Sequence, residues 1–211
     1  MKVIDLTHSY EDTMPLMDGI SRPRFRDIAQ VEQDGYSMSE YTFINHSGTH
    51  IDAPAHQIAG GATLDEIPLD RLVTEAFVVD LRAHAPGPVS VGDLGDRLAK
   101  VRRNDIVLFC SGNSDNWGSD RYWHGWSYPD AVATAALIEV GVSGVGFDGP
   151  SADPVESQTY DLHRLWLSSG RFILENLADL HHLPERCRII VAPLKVRAAN
   201  GGPARVLALI E

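Results

Sequence analysis

Apolar positions along this chain come mostly in short runs with strand character. Val3–Leu6, Tyr41–Asn45, Ala76–Leu81, Asp105–Cys110, Val142–Phe147, Arg188–Val191 and Arg205–Ile210 are rich in β-branched and aromatic residues and are bounded by Gly, Pro, Asn or Asp. Helical periodicity is rarer. Pro129–Val140 has an Ala/Leu/Ile face, a proline suited to a first turn and Gly141 as a stop. Val91–Val101 is a second helix candidate, entered through Ser90, and part of Asp161–Ser169 is a third, stopped by Gly170. The pattern predicts a strand-rich mixed α/β domain. Regular β-α-β alternation is absent, so a doubly wound fold is not predicted. Gly141–Gly146 lacks the glycine spacing of a phosphate loop and follows a helix rather than a strand. No repeat or low-complexity tract interrupts the chain, and Ala85–Pro88 reads as a loop between elements.

Length adds that one domain spanning 1–211 is expected, large enough to bury a core without staples. With 44% hydrophobic and 22% charged residues the composition is that of an ordinary globular protein. No apolar run is long enough to span a bilayer. The N-terminal residues have neither an apolar stretch nor a small-residue cleavage site, so no secretory signal is expected. Lys and Arg total 18 against 29 Asp and Glu, a net charge of −11. Such a surface repels nucleic acid and anionic membranes, and neither is an expected partner. Cys110 ends an apolar run and reads as a buried thiol, which suits a reducing, cytoplasmic setting.

The chemistry concentrates in His46-Ser-Gly-Thr-His50-Ile-Asp52-Ala-Pro-Ala-His56. Imidazole and carboxylate together favour zinc, manganese or iron over calcium. Nitrogens that share one zinc lie within about 4 Å of each other. On a straight strand His46 and His50 would stand about 13 Å apart. A helix is opposed by Gly48 and Pro54. If the two histidines share an ion, the chain must bend between them, and Gly48 tolerates that bend. A closed structural zinc site would be richer in thiolates, so the set predicts a catalytic centre.

This window resembles the H-x-G-T-H-x-D-x-P-x-H signature of the metal-dependent cyclase family, which includes bacterial kynurenine formamidase and isatin hydrolase. The resemblance extends over Asp5–His8, over Gly112–Trp117 after an apolar strand, over Gly144–Ser151 and over Ala192–Lys195 with Gly202–Arg205. It implies a three-layer β/β/α swivelling-type domain with a mixed, partly barrel-like sheet, assembled as a homodimer or homotetramer. It also implies one or two divalent ions, Zn²⁺ or Mn²⁺. His46, His50 and Asp52 would hold the first, and Asp52 could bridge to a second held by His163 and Glu175, which stand at the family's spacing. His56 would be the free imidazole that moves protons. The activity implied is hydrolysis of an amide C–N bond in a small, aromatic substrate, as in an arylformamidase. Ring opening of a cyclic amide or lactone is the nearest alternative, and a catalytically silent metal-binding module is one of another class. Met17, Phe25, Tyr36, Trp117, Trp123 and Trp126 are candidate pocket walls. Arg22, Arg24 and Arg26 read as a solvated basic face.

Overall fold

The computed structural model describes residues 1–210. Its strands are β1 (Lys2–Asp5), β2 (Arg24–Ala29), β3 (Met38–Thr42), β4 (His50–Asp52), β5 (Val73–Asp80), β6 (Gly87–Val89), β7 (Ile106–Cys110), β8 (Ser127–Pro129), β9 (Gly144–Phe147), β10 (Phe172–Glu175), β11 (Arg186–Pro193) and β12 (Gly201–Ile210). Its α-helices are α1 (Val31–Asp34), α2 (Leu69–Leu72), α3 (Val91–Leu94), α4 (Ala131–Val140) and α5 (Asp161–Ser168).

The main sheet runs β1-β12-β11-β5-β7-β9-β10-β4, and β4 pairs again with β12. Long strand β12 makes the closure possible. On one side it pairs with β11; on the other, Gly201–Pro203 takes β4 while Leu207–Ile210 takes β1. The result is a barrel-like ring of strands from β12 round to β4, with β1 attached outside it. Strands β5, β7, β9 and β10 are mutually parallel, and the others are antiparallel to their neighbours, so the sheet is mixed.

Strand alternation divides the apolar residues into two layers. Ala76, Val78, Ile106, Leu108, Phe172, Leu174 and Val206 fill the ring. Phe77, Val79, Val107, Phe109, Val145 and Ile173 face outward, where Ala133 and Leu137 of α4 and Trp166 and Leu167 of α5 cover them. Both faces of β7, β9 and β10 are therefore buried, which is why β7 and β9 read as unbroken apolar runs and β10 is apolar up to Glu175. The ring is tight: a Cβ on Gly144 would come within 2.5 Å of the Phe172 ring. Two sheet layers with helices against one of them form the β/β/α arrangement that the resemblance implies.

Several local expectations need correcting. Pro129 ends β8 instead of opening a helix; Asp130 caps α4, its carboxylate accepting from the Ala133 N–H at 2.8 Å. The helix expected over Val91–Val101 stops after Leu94 and continues as a 3₁₀ segment, because Gly95 adopts φ 52° and ψ −135°, which an α-helix cannot accommodate. Gly87 and Pro88, expected within the loop Ala85–Pro88, belong to β6, which pairs with β8. Strands β2, β4 and β10 lie outside the runs expected as strands; the apolar stretch of β10 is only three residues long and ends at Glu175. Strands β2 and β3 form a separate hairpin, exposed along most of its length. No helix among the described residues is long and apolar enough to cross a membrane. Cys110 and Cys187 are buried free thiols, and burial pushes their pKa values up to about 12 and about 11.

Candidate metal centre

The bend expected between His46 and His50 is present. Gly48 has φ 59°, a left-handed conformation, and a Cβ there would meet the Tyr10 ring at 2.8 Å. Its carbonyl accepts from His50 Nδ1 at 2.9 Å and from the Asn176 amide at 2.9 Å. Thr49 locks the same turn, donating to the Asn176 carbonyl at 2.5 Å and accepting from the His8 N–H at 3.0 Å. The turn thus delivers the chain into β4 with the His50 ring already oriented.

Register does the next step. In the antiparallel pair β4–β10, His50 lies opposite Glu175, and Asp52 lies opposite Ile173. Directly opposed residues project to the same face. Ile51 and Leu174 point into the ring, so His50, Asp52 and Glu175 project outward, toward α5. Helix α5 brings His163 to them from its first turn, and Leu162, His163, Trp166 and Leu167 form the helix's buried face.

The groups converge. His50 Nε2 is 3.3 Å from Asp52 Oδ1 and 3.4 Å from Glu175 Oε2. His163 Nε2 is 3.1 Å from Glu175 Oε1 and 3.6 Å from Asp52 Oδ2. His46 Nδ1 is 2.6 Å from Asp52 Oδ1. His56 ends the 3₁₀ turn Pro54–His56, and its ring stacks on that of His46 with centroids 3.9 Å apart. Ligand atoms of His50, Asp52 and Glu175 lie within 4.8 Å of one another, and so do those of His46, Asp52 and His56. Asp52 is common to both groups. All six predicted site residues therefore share one centre, but His56 stands beside His46 rather than apart from the donor set. A third group, Asp179, His181 and His182, lies elsewhere, with Asp179 and His182 exposed.

Electrostatics at this centre call for positive charge. Burial by itself would lower the His50 pKa, but the charges of Asp52 and Glu175 hold it up at about 9. His163 is also buried, yet its hydrogen bond to Asp153 and the carboxylates of Asp52 and Glu175 beside it hold it well above the ordinary imidazole range. Asp52 is held well below the usual carboxylate range against its burial, with His50 as the strongest opposing influence. Burial lowers the His56 pKa, which keeps that imidazole neutral near pH 7. Asp52 Oδ2 is buried without a hydrogen-bond donor. An acceptor of that kind is costly to bury and needs a partner. Both buried imidazoles have Nδ1 occupied, by the Gly48 carbonyl and by Asp153 Oδ2, and turn Nε2 toward the carboxylates. That is the second-layer arrangement of histidine metal ligands, and the donor set fits a divalent cation.

Asp153 is the residue that sequence reasoning missed. It accepts from the Leu162 and His163 backbone N–H groups at 2.9 Å each and from His163 Nδ1 at 2.6 Å. One carboxylate thus caps α5 and orients its histidine. No local pattern marks it, because Asp153 and α5 are separated by a loop. Asn176 and Asn200 were likewise not assigned roles; Asn200 Oδ1 is 3.0 Å from His46 Nε2.

A cavity of about 300 Å³ opens onto the centre. Of the predicted walls, Met17 and Trp123 line it. Trp126 lies buried and donates to the Ser151 carbonyl at 2.8 Å. Trp117 instead stacks on His8, with centroids 3.9 Å apart and planes 3° from parallel. Phe25 and Tyr36 are exposed and do not line the cavity, and Arg26 pairs with Glu40 on the hairpin.

A closed mixed sheet with outer helices, carrying imidazoles around a shared carboxylate, defines an α/β protein with a metal-type centre. The family model described as putative cyclase matches residues 4–154, and the chain belongs to the cyclase family. The kynurenine formamidase of Salinibacter ruber is 32% identical over 98% of this chain and 97% of its own length. Among solved structures, isatin hydrolase A from Ralstonia solanacearum superposes with a TM-score of 0.87 at 26% identity, covering 100% of this chain and 92% of that one. A potential metal-dependent hydrolase with cyclase activity gives a TM-score of 0.81 at 29% identity, over 98% and 96% of the two chains.

Proposed function

We propose that this chain is a metal-dependent hydrolase that cleaves the amide C–N bond of a small aromatic substrate. The observation that carries this reading is Asp52, a buried carboxylate shared by two groups of donors at the foot of a cavity. In this reading His46, His50 and Asp52 would hold one divalent ion, Zn²⁺ or Mn²⁺, and His163 and Glu175, together with Asp52, would hold a second. Such an ion would polarise a carbonyl and bring the pKa of its water down to around 7.

The chain's own groups supply the rest. His56 is neutral near pH 7, so it can accept the proton of the attacking water and return it to the leaving nitrogen. Its stacking on His46 fixes the ring plane at the edge of the donor set. The Gly48 carbonyl and Asp153 hold the His50 and His163 rings in place through their Nδ1 atoms. Met17 and Trp123 present an apolar wall to the organic part of the substrate.

The likeness to isatin hydrolase A supports a second reading, in which the bond cleaved lies within a cyclic amide or lactone. The full chain is read as one domain and as a homodimer or homotetramer. Exposed Phe25, Ile28, Tyr36, Met38 and Tyr41 on or beside the β2–β3 hairpin supply an apolar surface for that assembly. Buried, unreactive thiols suit a cytoplasmic setting.

The test is metal analysis of protein purified without added ions, followed by assays with formanilides, isatin and lactones. Bound divalent metal with turnover of a formanilide is the expected result. Turnover of isatin or a lactone alone selects the second reading. Stoichiometric metal with no turnover on any of them would leave a metal-binding module.

A further inference from the structure

The cavity beside the metal centre is polar at its foot and apolar at its walls. Pro15, Leu16, Met17 and Ile20 form one side, and Trp123 and Pro150 belong to the other segments around it. Among the described residues no lysine or arginine lines it. Arg22, in the loop that follows Ile20, is used otherwise: its guanidinium donates to the carbonyls of Asp12 and Met14 at 2.8 and 3.3 Å and ties that loop together.

The neutral polar side chains in the lining are also largely committed. Ser47 donates to the Ile44 carbonyl at 2.5 Å. Ser151 Oγ accepts from the Asp153 N–H at 3.1 Å. Asn176 donates to the Gly48 carbonyl at 2.9 Å and accepts from the Tyr122 hydroxyl at 2.7 Å. What remains uncommitted is neutral as well: the Gln57 amide, the Tyr160 hydroxyl and the His56 ring. The two carboxylates, Asp52 and Glu175, belong to the metal centre, among His46, His50 and His163.

We infer that this cavity takes an uncharged, single-ring amide or lactam, and that it discriminates against substrates bearing an ionised amino-acid head group. This deepens the hydrolase reading and rests on it. Away from the metal centre, a zwitterionic head group would lose its water and find no charged side chain for either its carboxylate or its ammonium. Burying such charges unpaired is costly, whereas apolar walls gain by covering a bare ring. A volume of about 300 Å³ lies at the small end of ligand cavities, which suits one ring and a short substituent. The curated relative from Salinibacter ruber is a kynurenine formamidase, so the inference separates this chain from that relative's substrate.

A matched pair of substrates tests it. N-formyl-L-kynurenine and ortho-formamidoacetophenone present the same aryl formamide, and only the first carries the amino-acid head group. The neutral compound is expected to give the higher kcat/KM by at least about tenfold, because the cavity walls offer no charged partner for the head group. Met17 is partly exposed, so Met17→Arg can place a guanidinium in the wall with its charge near water. In that variant the ratio is expected to move toward N-formyl-L-kynurenine by about tenfold or more, through KM. Equal rates, or a preference of the wild-type protein for N-formyl-L-kynurenine, would overturn the inference. So would a ratio unmoved in folded Met17→Arg protein. If neither compound turns over, the formanilide reading fails, and binding decides this one: ortho-aminoacetophenone should bind more tightly than kynurenine by calorimetry, and the reverse order would overturn it.

Discussion

Asp153 accepts a hydrogen bond from His163 Nδ1 at 2.6 Å, and this one contact turns His163 Nε2 to within 3.1 Å of Glu175. The carboxylate also receives two backbone N–H groups of α5, so it anchors the helix and the ring together. Asp153→Asn removes the charge that fixes the imidazole. Affinity for the divalent ion should fall roughly 10- to 100-fold. Competition with a chelating dye would measure it, and unchanged affinity would detach Asp153 from this role.

His56 and Asp52 should separate by phenotype. His56→Ala is expected to lower turnover by roughly 10²- to 10⁴-fold while bound metal stays near the wild-type content. Asp52→Asn alters the carboxylate common to both donor groups and should lose metal along with activity. Elemental analysis beside steady-state rates distinguishes the two. Full turnover in His56→Ala would remove His56 from proton transfer.

Gly48 carries a steric requirement that can be tested without any substrate. Its φ of 59° is unfavourable for an L side chain, and a Cβ would press on the Tyr10 ring at 2.8 Å. Gly48→Ala should cost about 1–2 kcal/mol from the left-handed conformation, before any displacement of Tyr10. Urea unfolding would show the loss. Activity should fall with it, since the same residue's carbonyl positions His50.

His8 makes folding sensitive to acid. Burial lowers its pKa from 6.5 to about 4, with Asp179 opposing the shift. The unfolded chain therefore binds more protons between those two values, so His8's contribution to stability is complete above pH 6.5 and is lost as pH falls toward 4. His8→Phe keeps an aromatic ring against Trp117 and removes the titration. Denaturation midpoints measured across this interval should decline less steeply in the variant. Parallel declines would place the acid sensitivity elsewhere.

Much of this protein is written locally. The His46–His56 window, the Gly48 bend and the glycine stops after α4 and α5 follow from residue type and spacing, because each depends on neighbours in the chain and on which backbone angles a side chain permits. The apolar runs of β5, β7 and β9 are legible for the same reason: burial on both faces leaves polar residues nowhere to stand. The register that sets His50 opposite Glu175, the closure of β12 onto β4 and the reach of Asp153 to α5 were decided only in three dimensions. Those contacts join segments far apart along the chain, and their partners are chosen by packing and charge across the fold, which no local pattern of residues encodes.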